Sequence, residues 1–115
     1  MTAKRDDSVY LQHILDAIAK IEKYLTDADE EKFMRESLIQ DGVIRQLEIF
    51  GEAVKNLSSE LREENEHIPW KDMAGMRDKL IHHYFGVDLR IVWMTATEDI
   101  PSFKAEIGKI LENQR

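Results

Sequence analysis

At 115 residues, with a formal charge of −7 and no cysteine, the chain excludes several classes of protein at once. No disulfide framework or thiolate metal site can form, the acid excess counts against a general nucleic-acid coat, and no apolar run approaches the length that crosses a bilayer. Its 43% hydrophobic content suits one modest core, so a single domain over residues 1–115 is expected, and the polar start Met1 to Asp7 predicts no secretory signal and a cytoplasmic setting.

Helical spacing runs along the whole chain. Tyr10, Ile14, Ile18, Ile21 and Leu25 recur at three- and four-residue steps, which draws one apolar stripe on a first helix over about residues 6–26. Asp27 with Glu30 reads as a capping box opening a second segment. Phe33, Leu38, Val43, Leu47, Phe50, Val54 and Leu57 carry that segment to about residue 57, with Gly42 its expected weak point. Ser58 to Glu66 is polar and reads as a short helix end and a connection. Pro69 suits the first position of a new helix that runs to about Tyr84 and stops at Gly86. Asp88 caps the next, with Leu89, Val92 and Trp93 inward. Pro101 kinks or restarts a last helix reaching about Asn113. Met34, Met73, Met76 and Met94 read as core filler. The pattern predicts an all-α, antiparallel bundle of four to six helices.

One stretch carries chemistry. Within Met76 to Tyr84, an arginine, a histidine and a tyrosine stand at R-x4-H-x-Y spacing: Arg77, His82 and Tyr84. A guanidinium offers a rigid fork of donors to a phosphate. An imidazole takes and returns a proton near neutral pH. The tyrosine adds a hydroxyl and a ring for stacking. Together they fit a site that cleaves a phosphodiester without metal. Between Glu66 and Arg90 four basic residues meet four acidic ones, so this segment is neutral and the whole −7 lies elsewhere.

Trp70, Met73, Arg77, Leu80 and Tyr84 form a seam at steps of three and four. Arg77 and Tyr84 share a face, but His82 lies five residues from Arg77, about 140° around an unbroken helix. Two resolutions stand open: the helix loosens between His82 and Gly86, or the site forms where two copies of the seam meet. Plainer roles stand beside these. Arg77 can pair with Glu48 or Glu52 across the bundle, His82 can be a satisfied interior histidine, and Tyr84 an ordinary core aromatic. His82 and His83 make a poor metal pair, because helix neighbours point about 100° apart. His13 and His67 have no partner at a ligand spacing, and the glycines form no phosphate-cradling loop.

The stretch Gly75 to Asp88, which reads G-M-R-D-K-L-I-H-H-Y-F-G-V-D, resembles the signature of HepT-like proteins of the HEPN superfamily. The opening Arg5 to Leu11, the central Gln40 to Ala53 and the lead-in Ile68-Pro69-Trp70 are similar to the same family. The likeness covers nearly the whole chain, and all three motif positions are filled. Gly42 stands where a more helix-friendly residue such as alanine is expected.

That resemblance implies a HEPN-type helical bundle that pairs as a homodimer along the motif helix. It implies a ribonuclease toxin of a toxin–antitoxin pair, with an MntA-like minimal nucleotidyltransferase as antitoxin. That partner would attach AMP to Tyr84 and silence the toxin. RNA supplies its own nucleophile, the 2′-hydroxyl beside the scissile phosphate. On this reading Arg77 stabilises the developing charge, His82 gives general acid–base help, and Tyr84 holds the substrate. No cofactor or metal enters, and DNA, which lacks that hydroxyl, is not cut. A different class of answer is a non-catalytic helical adaptor, or a nucleotide-binding subunit of a nucleotidyltransferase complex. The acidic charge and the neutral motif region suit it.

Overall fold

The computed structural model describes residues 3–82 and 88–113, with side chains described for 6–76, 78 and 88–113. Among the described residues every regular element is helical: α1 (Ala3–Tyr24), α2 (Glu30–Arg35), α3 (Ser37–Lys55), α4 (Ser59–Glu64), α5 (Trp70–His82), α6 (Leu89–Met94) and α7 (Ile100–Asn113). A single π-turn, Thr95–Asp99, joins α6 to α7 without a break. Counted as continuous rods there are six, the upper end of the expected range. No helix among the described residues is long and apolar enough to cross a membrane.

The stripe on α1 packs as its spacing demands. Leu11, Ile14, Ala17, Ile18 and Ile21 are buried, and they meet Val43, Leu47, Phe50, Ala53 and Val54 of α3 in one core. The two helices run antiparallel, because the start of α1 lies against the end of α3 and its end against the start. At one end Asp7, 3% exposed, accepts the backbone N–H of Ser58 at 2.8 Å and its hydroxyl at 2.6 Å. Ser58 in turn caps α4 by accepting from Leu61 N at 3.1 Å. At the other end the Tyr24 ring lies across Gly42, where a Cβ would come within 3.2 Å of two ring carbons. That close approach explains a glycine inside α3. The helix does not weaken there.

The segment expected to run unbroken to about residue 57 is instead divided at Glu36, whose extended backbone (φ −110°, ψ 102°) separates α2 from α3. The Gln40 amide donates to the carbonyls of Phe33 at 2.8 Å and Met34 at 3.1 Å, acceptors that α2 leaves open at its end. The cap of α2 is Asp29, which accepts from Lys32 N at 2.9 Å, and Asp27 does not fill that role. Residues 25–28 are spent in the turn that closes α1, so the side chain placed to cap is the one directly before Glu30.

Further along, the polar stretch after α3 is more ordered than its composition suggests. Arg62 of α4 reaches back and donates to the carbonyls of Val54, Lys55 and Leu57, setting a cation on the negative end of α3. Its Nε is buried without a partner. Trp70 Nε1 donates to Asn65 O at 2.9 Å and fixes the entry into α5. Asp88 caps α6 as expected, accepting from Arg90 N at 2.9 Å. The last helix restarts at Pro101 as expected, and the proline stands in the first turn of α7. Its ring would collide with the Thr97 carbonyl in a regular α-turn. The preceding turn is widened instead, so that Ile100 N reaches Thr95 O, and α7 runs on from Pro101. Of the four methionines expected to fill the core, Met73 is fully buried, whereas Met94 is 46% exposed and fills no core space.

Candidate active site on the motif helix

Three anchors hold α5. Trp70 and Met73 sink into the core at 6% and 0% exposure. On another face Asp78 bonds Lys55 of α3, with Nζ at 2.8 and 3.0 Å from the two carboxylate oxygens. Pro69 stands just before the helix, and its carbonyl accepts from Met73 N at 3.1 Å, so the first turn is closed without the N–H that proline lacks.

Arg77 and His82 both lie on this helix, which is continuous from one to the other. Five α-helical steps set their backbone positions about 140° apart, so a single α5 presents them on different faces. The side chains of Arg77 and His82 lie outside the described residues, as does Tyr84 entirely, together with the segment 83–87 where loosening is expected. Of the acids weighed as partners for Arg77, Glu48 pairs with Arg45 at 3.6 Å.

Two hollows open in the bundle, and the second adjoins the motif helix. One, of about 300 Å³, opens between α1 and α3 and is walled by Tyr10, His13, Arg45, Glu48, Glu52 and Asn56 over a floor of Ile49 and Ala53. The rings of Tyr10 and His13 meet edge to face there, with centroids 5.9 Å apart and planes at 89°. The other, of about 610 Å³, is a more apolar groove between α5 and the α6–α7 rod, lined by Leu47, Met73, Met76, Ile91, Val92 and Phe103 among others. Among the described residues no group of three histidine or carboxylate side chains is placed to hold a metal ion.

Sequence reasoning missed the Lys55–Asp78 clamp and the α1–α3 cavity. The clamp joins residues 23 apart. Nothing in the local spacing announces such a pair, although a lysine in the last turn of α3 and an aspartate beside Arg77 were both visible. The cavity carried a clearer sign. His13 stands three residues after Tyr10, close enough for the rings to meet on one helix face.

The sequence profile described as Ribonuclease HepT-like matches residues 14–110, a range that contains Arg77, His82 and Tyr84. A Thermococcus cleftensis protein named probable ribonuclease HepT is 47% identical over 107 residues, covering 93% of this chain and 97% of that one. A Methanocaldococcus jannaschii protein whose name joins gamma-glutamylcyclotransferase to an RNase is 51% identical over 109 residues, which is 95% of this chain. The chain spans about half the length of that relative (49%). A second protein of that organism, also named for RNase activity, is 47% identical over 110 residues, covering 96% of this chain and 95% of its own length. No solved structure matches. With the family profile spanning most of the sequence and such relatives matched almost end to end, the chain belongs to the HepT-like ribonuclease family.

Proposed function

We propose that this protein is an endoribonuclease that cleaves RNA through Arg77, His82 and Tyr84, and that it serves as the toxin of a toxin–antitoxin pair in the cytoplasm. The observation that carries the reading is the complete R-x4-H-x-Y motif, with Arg77 and His82 on α5, inside a chain of the HepT-like ribonuclease family. The substrate's 2′-hydroxyl attacks the neighbouring phosphorus, the 5′-oxygen leaves with a proton, and a 2′,3′-cyclic phosphate remains. Arg77 stabilises the charge that builds on the phosphate oxygens. His82 moves the protons. Tyr84 stacks on a base or bonds the phosphate. None of these steps requires a metal, so cleavage continues in EDTA and DNA stays intact.

The turn of α5 between Arg77 and His82 supports a homodimer as the working unit. One helix spreads the two positions about 140° apart, whereas a two-fold pairing sets two arginines and two histidines around one cleft. One histidine then acts as base and the other as acid on the same bond.

The same site explains control by a minimal nucleotidyltransferase of the MntA type. The Tyr84 hydroxyl attacks the α-phosphate of ATP, pyrophosphate leaves, and AMP stays on the ring. The attached phosphate then occupies Arg77, and RNA is crowded out and repelled. Mass spectrometry after incubation with the partner and ATP is expected to find one AMP on Tyr84. Label on Tyr10 or Tyr24 contradicts the assignment.

The direct test incubates purified protein with total RNA, beside Arg77→Ala. Cleavage that depends on Arg77 supports the enzyme. Binding of ATP or of a nucleotidyltransferase without loss of RNA selects the adaptor reading, which the acidic charge of −7 favours.

A further inference from the structure

We propose that Lys55 of α3 is a positioning residue for the motif: through Asp78 it fixes the rotation of α5, and with it the backbone that carries Arg77 and His82. This rests on the ribonuclease reading and adds a supporting residue from a different helix.

α5 is gripped on two sides. Trp70 and Met73 are buried in the core. Asp78 follows Met73 by five residues, about 140° around the helix and about 7.5 Å further along. There its two carboxylate oxygens accept from Lys55 Nζ at 2.8 and 3.0 Å. A grip on one face lets a helix roll about its axis, and a second grip on another face opposes the roll. Asp78 directly follows Arg77 and stands four residues before His82 on the same unbroken helix, so both motif positions turn with it.

Lys55 reaches out from a fixed base. Its own carbonyl accepts from Arg62 Nη2 at 2.9 Å, and the same nitrogen donates to the carbonyls of Val54 and Leu57 at 3.3 and 3.0 Å. Just beyond, Asp7 of α1 holds the N–H and hydroxyl of Ser58. The end of α3 is therefore braced by α4 and by α1. The Lys55 ammonium passes that bracing on to α5, in the way that supporting groups hold a reacting group to its productive geometry.

Small rotations matter to chemistry more than to folding. With side-chain atoms about 6 Å from the helix axis, a roll of about 10° moves them by about 1 Å. A displacement of that size can cost about 10²-fold in rate. The pair itself is exposed, at 37% for Lys55 and 45% for Asp78. Pairs of this kind shift an equilibrium by no more than about fivefold. Loss of Lys55 is therefore read in turnover, with little change in the melt.

The test measures kcat and KM for cleavage of a defined oligoribonucleotide by the full chain, beside Arg77→Ala. Lys55→Met is expected to lower kcat about two- to fivefold, with KM and the melting temperature unchanged. Lys55→Arg keeps the charge and should restore kcat. Asp78→Asn should lower kcat by a similar factor, and the double variant Lys55→Met with Asp78→Asn should lower it no further than either alone. An unchanged kcat in Lys55→Met overturns the proposal. So does a rise in KM alone, which makes Lys55 a contact for RNA, and so do single effects that multiply in the double variant. A variant that unfolds overturns it too, because Lys55 is then a structural residue. A second readout needs no turnover. In a chain with isotope-labelled histidine, the His82 ring signal, assigned by its loss in His82→Ala, should move in Lys55→Met and return in Lys55→Arg. A wild-type chain that cuts no RNA sinks the ribonuclease reading, and the moved signal then upholds the positioning role by itself. Cleavage lost in Arg77→Ala, with kcat and the His82 signal untouched in Lys55→Met, does the reverse.

Discussion

The α1–α3 pair and the α5 helix are built by opposite rules. α1 and α3 share a continuous apolar stripe, pinned at one end by the Asp7–Ser58 bonds and at the other by a ring lying on Gly42. On α5 only Trp70 and Met73 are buried among its described side chains. An exposed ion pair, Lys55–Asp78, holds one of its other faces. Most of the described buried side chains belong to the first pair, and Arg77 and His82, proposed for chemistry, stand on the second. Sites for reacting groups sit where packing leaves side chains free to meet a substrate.

That contrast predicts that motif changes alter chemistry without altering the melt, and that core changes do the reverse. His82→Ala is expected to lower RNA cleavage about 10²- to 10⁴-fold with the melting temperature unchanged, measured by single-turnover cleavage and calorimetry. A variant that unfolds instead makes His82 a structural residue. Phe50→Ala removes a fully buried ring that stacks on Phe103 with centroids 6.1 Å apart. It should cost about 3–5 kcal/mol in denaturant unfolding. Asp7→Ala leaves the part-buried N–H and hydroxyl of Ser58 without their acceptor and should cost about 1–3 kcal/mol. The smallest effect should come from Gly75→Ala on α5, where an added Cβ meets nothing within 4 Å. The gain in helix propensity should stabilise the chain by up to about 1 kcal/mol. Together these variants trace the boundary between the two regions, and a loss of stability at Gly75 would mean that α5 is packed more tightly than its described surroundings show.

The bundle was legible because its signal is periodic. Apolar steps of three and four on α1 and α3 read directly as helices and as the core they share. What escaped was decided by contacts that a local window does not hold. The break at Glu36 depends on Gln40 taking up the carbonyls of Phe33 and Met34. Asp29 caps α2 because the residues before it are already used in a turn. The restart at Pro101 was expected, but the wide turn that leads into it was not. The motif was legible as a spacing of residue types. The spacing also foretold that one continuous helix separates Arg77 from His82, which α5 shows. The cavity between α1 and α3 needed two helices in register, with Tyr10 and His13 from one and Arg45 to Asn56 from the other.

The chemical nature of the ends left on cut RNA tests the central claim most directly. A defined oligoribonucleotide is treated with the purified protein in EDTA and its fragments are weighed by mass spectrometry. The account predicts a 2′,3′-cyclic phosphate on the upstream fragment and a free 5′-hydroxyl on the downstream one, both lost in Arg77→Ala and His82→Ala. Fragments bearing 5′-phosphates, or cleavage undiminished in those two variants, would contradict it.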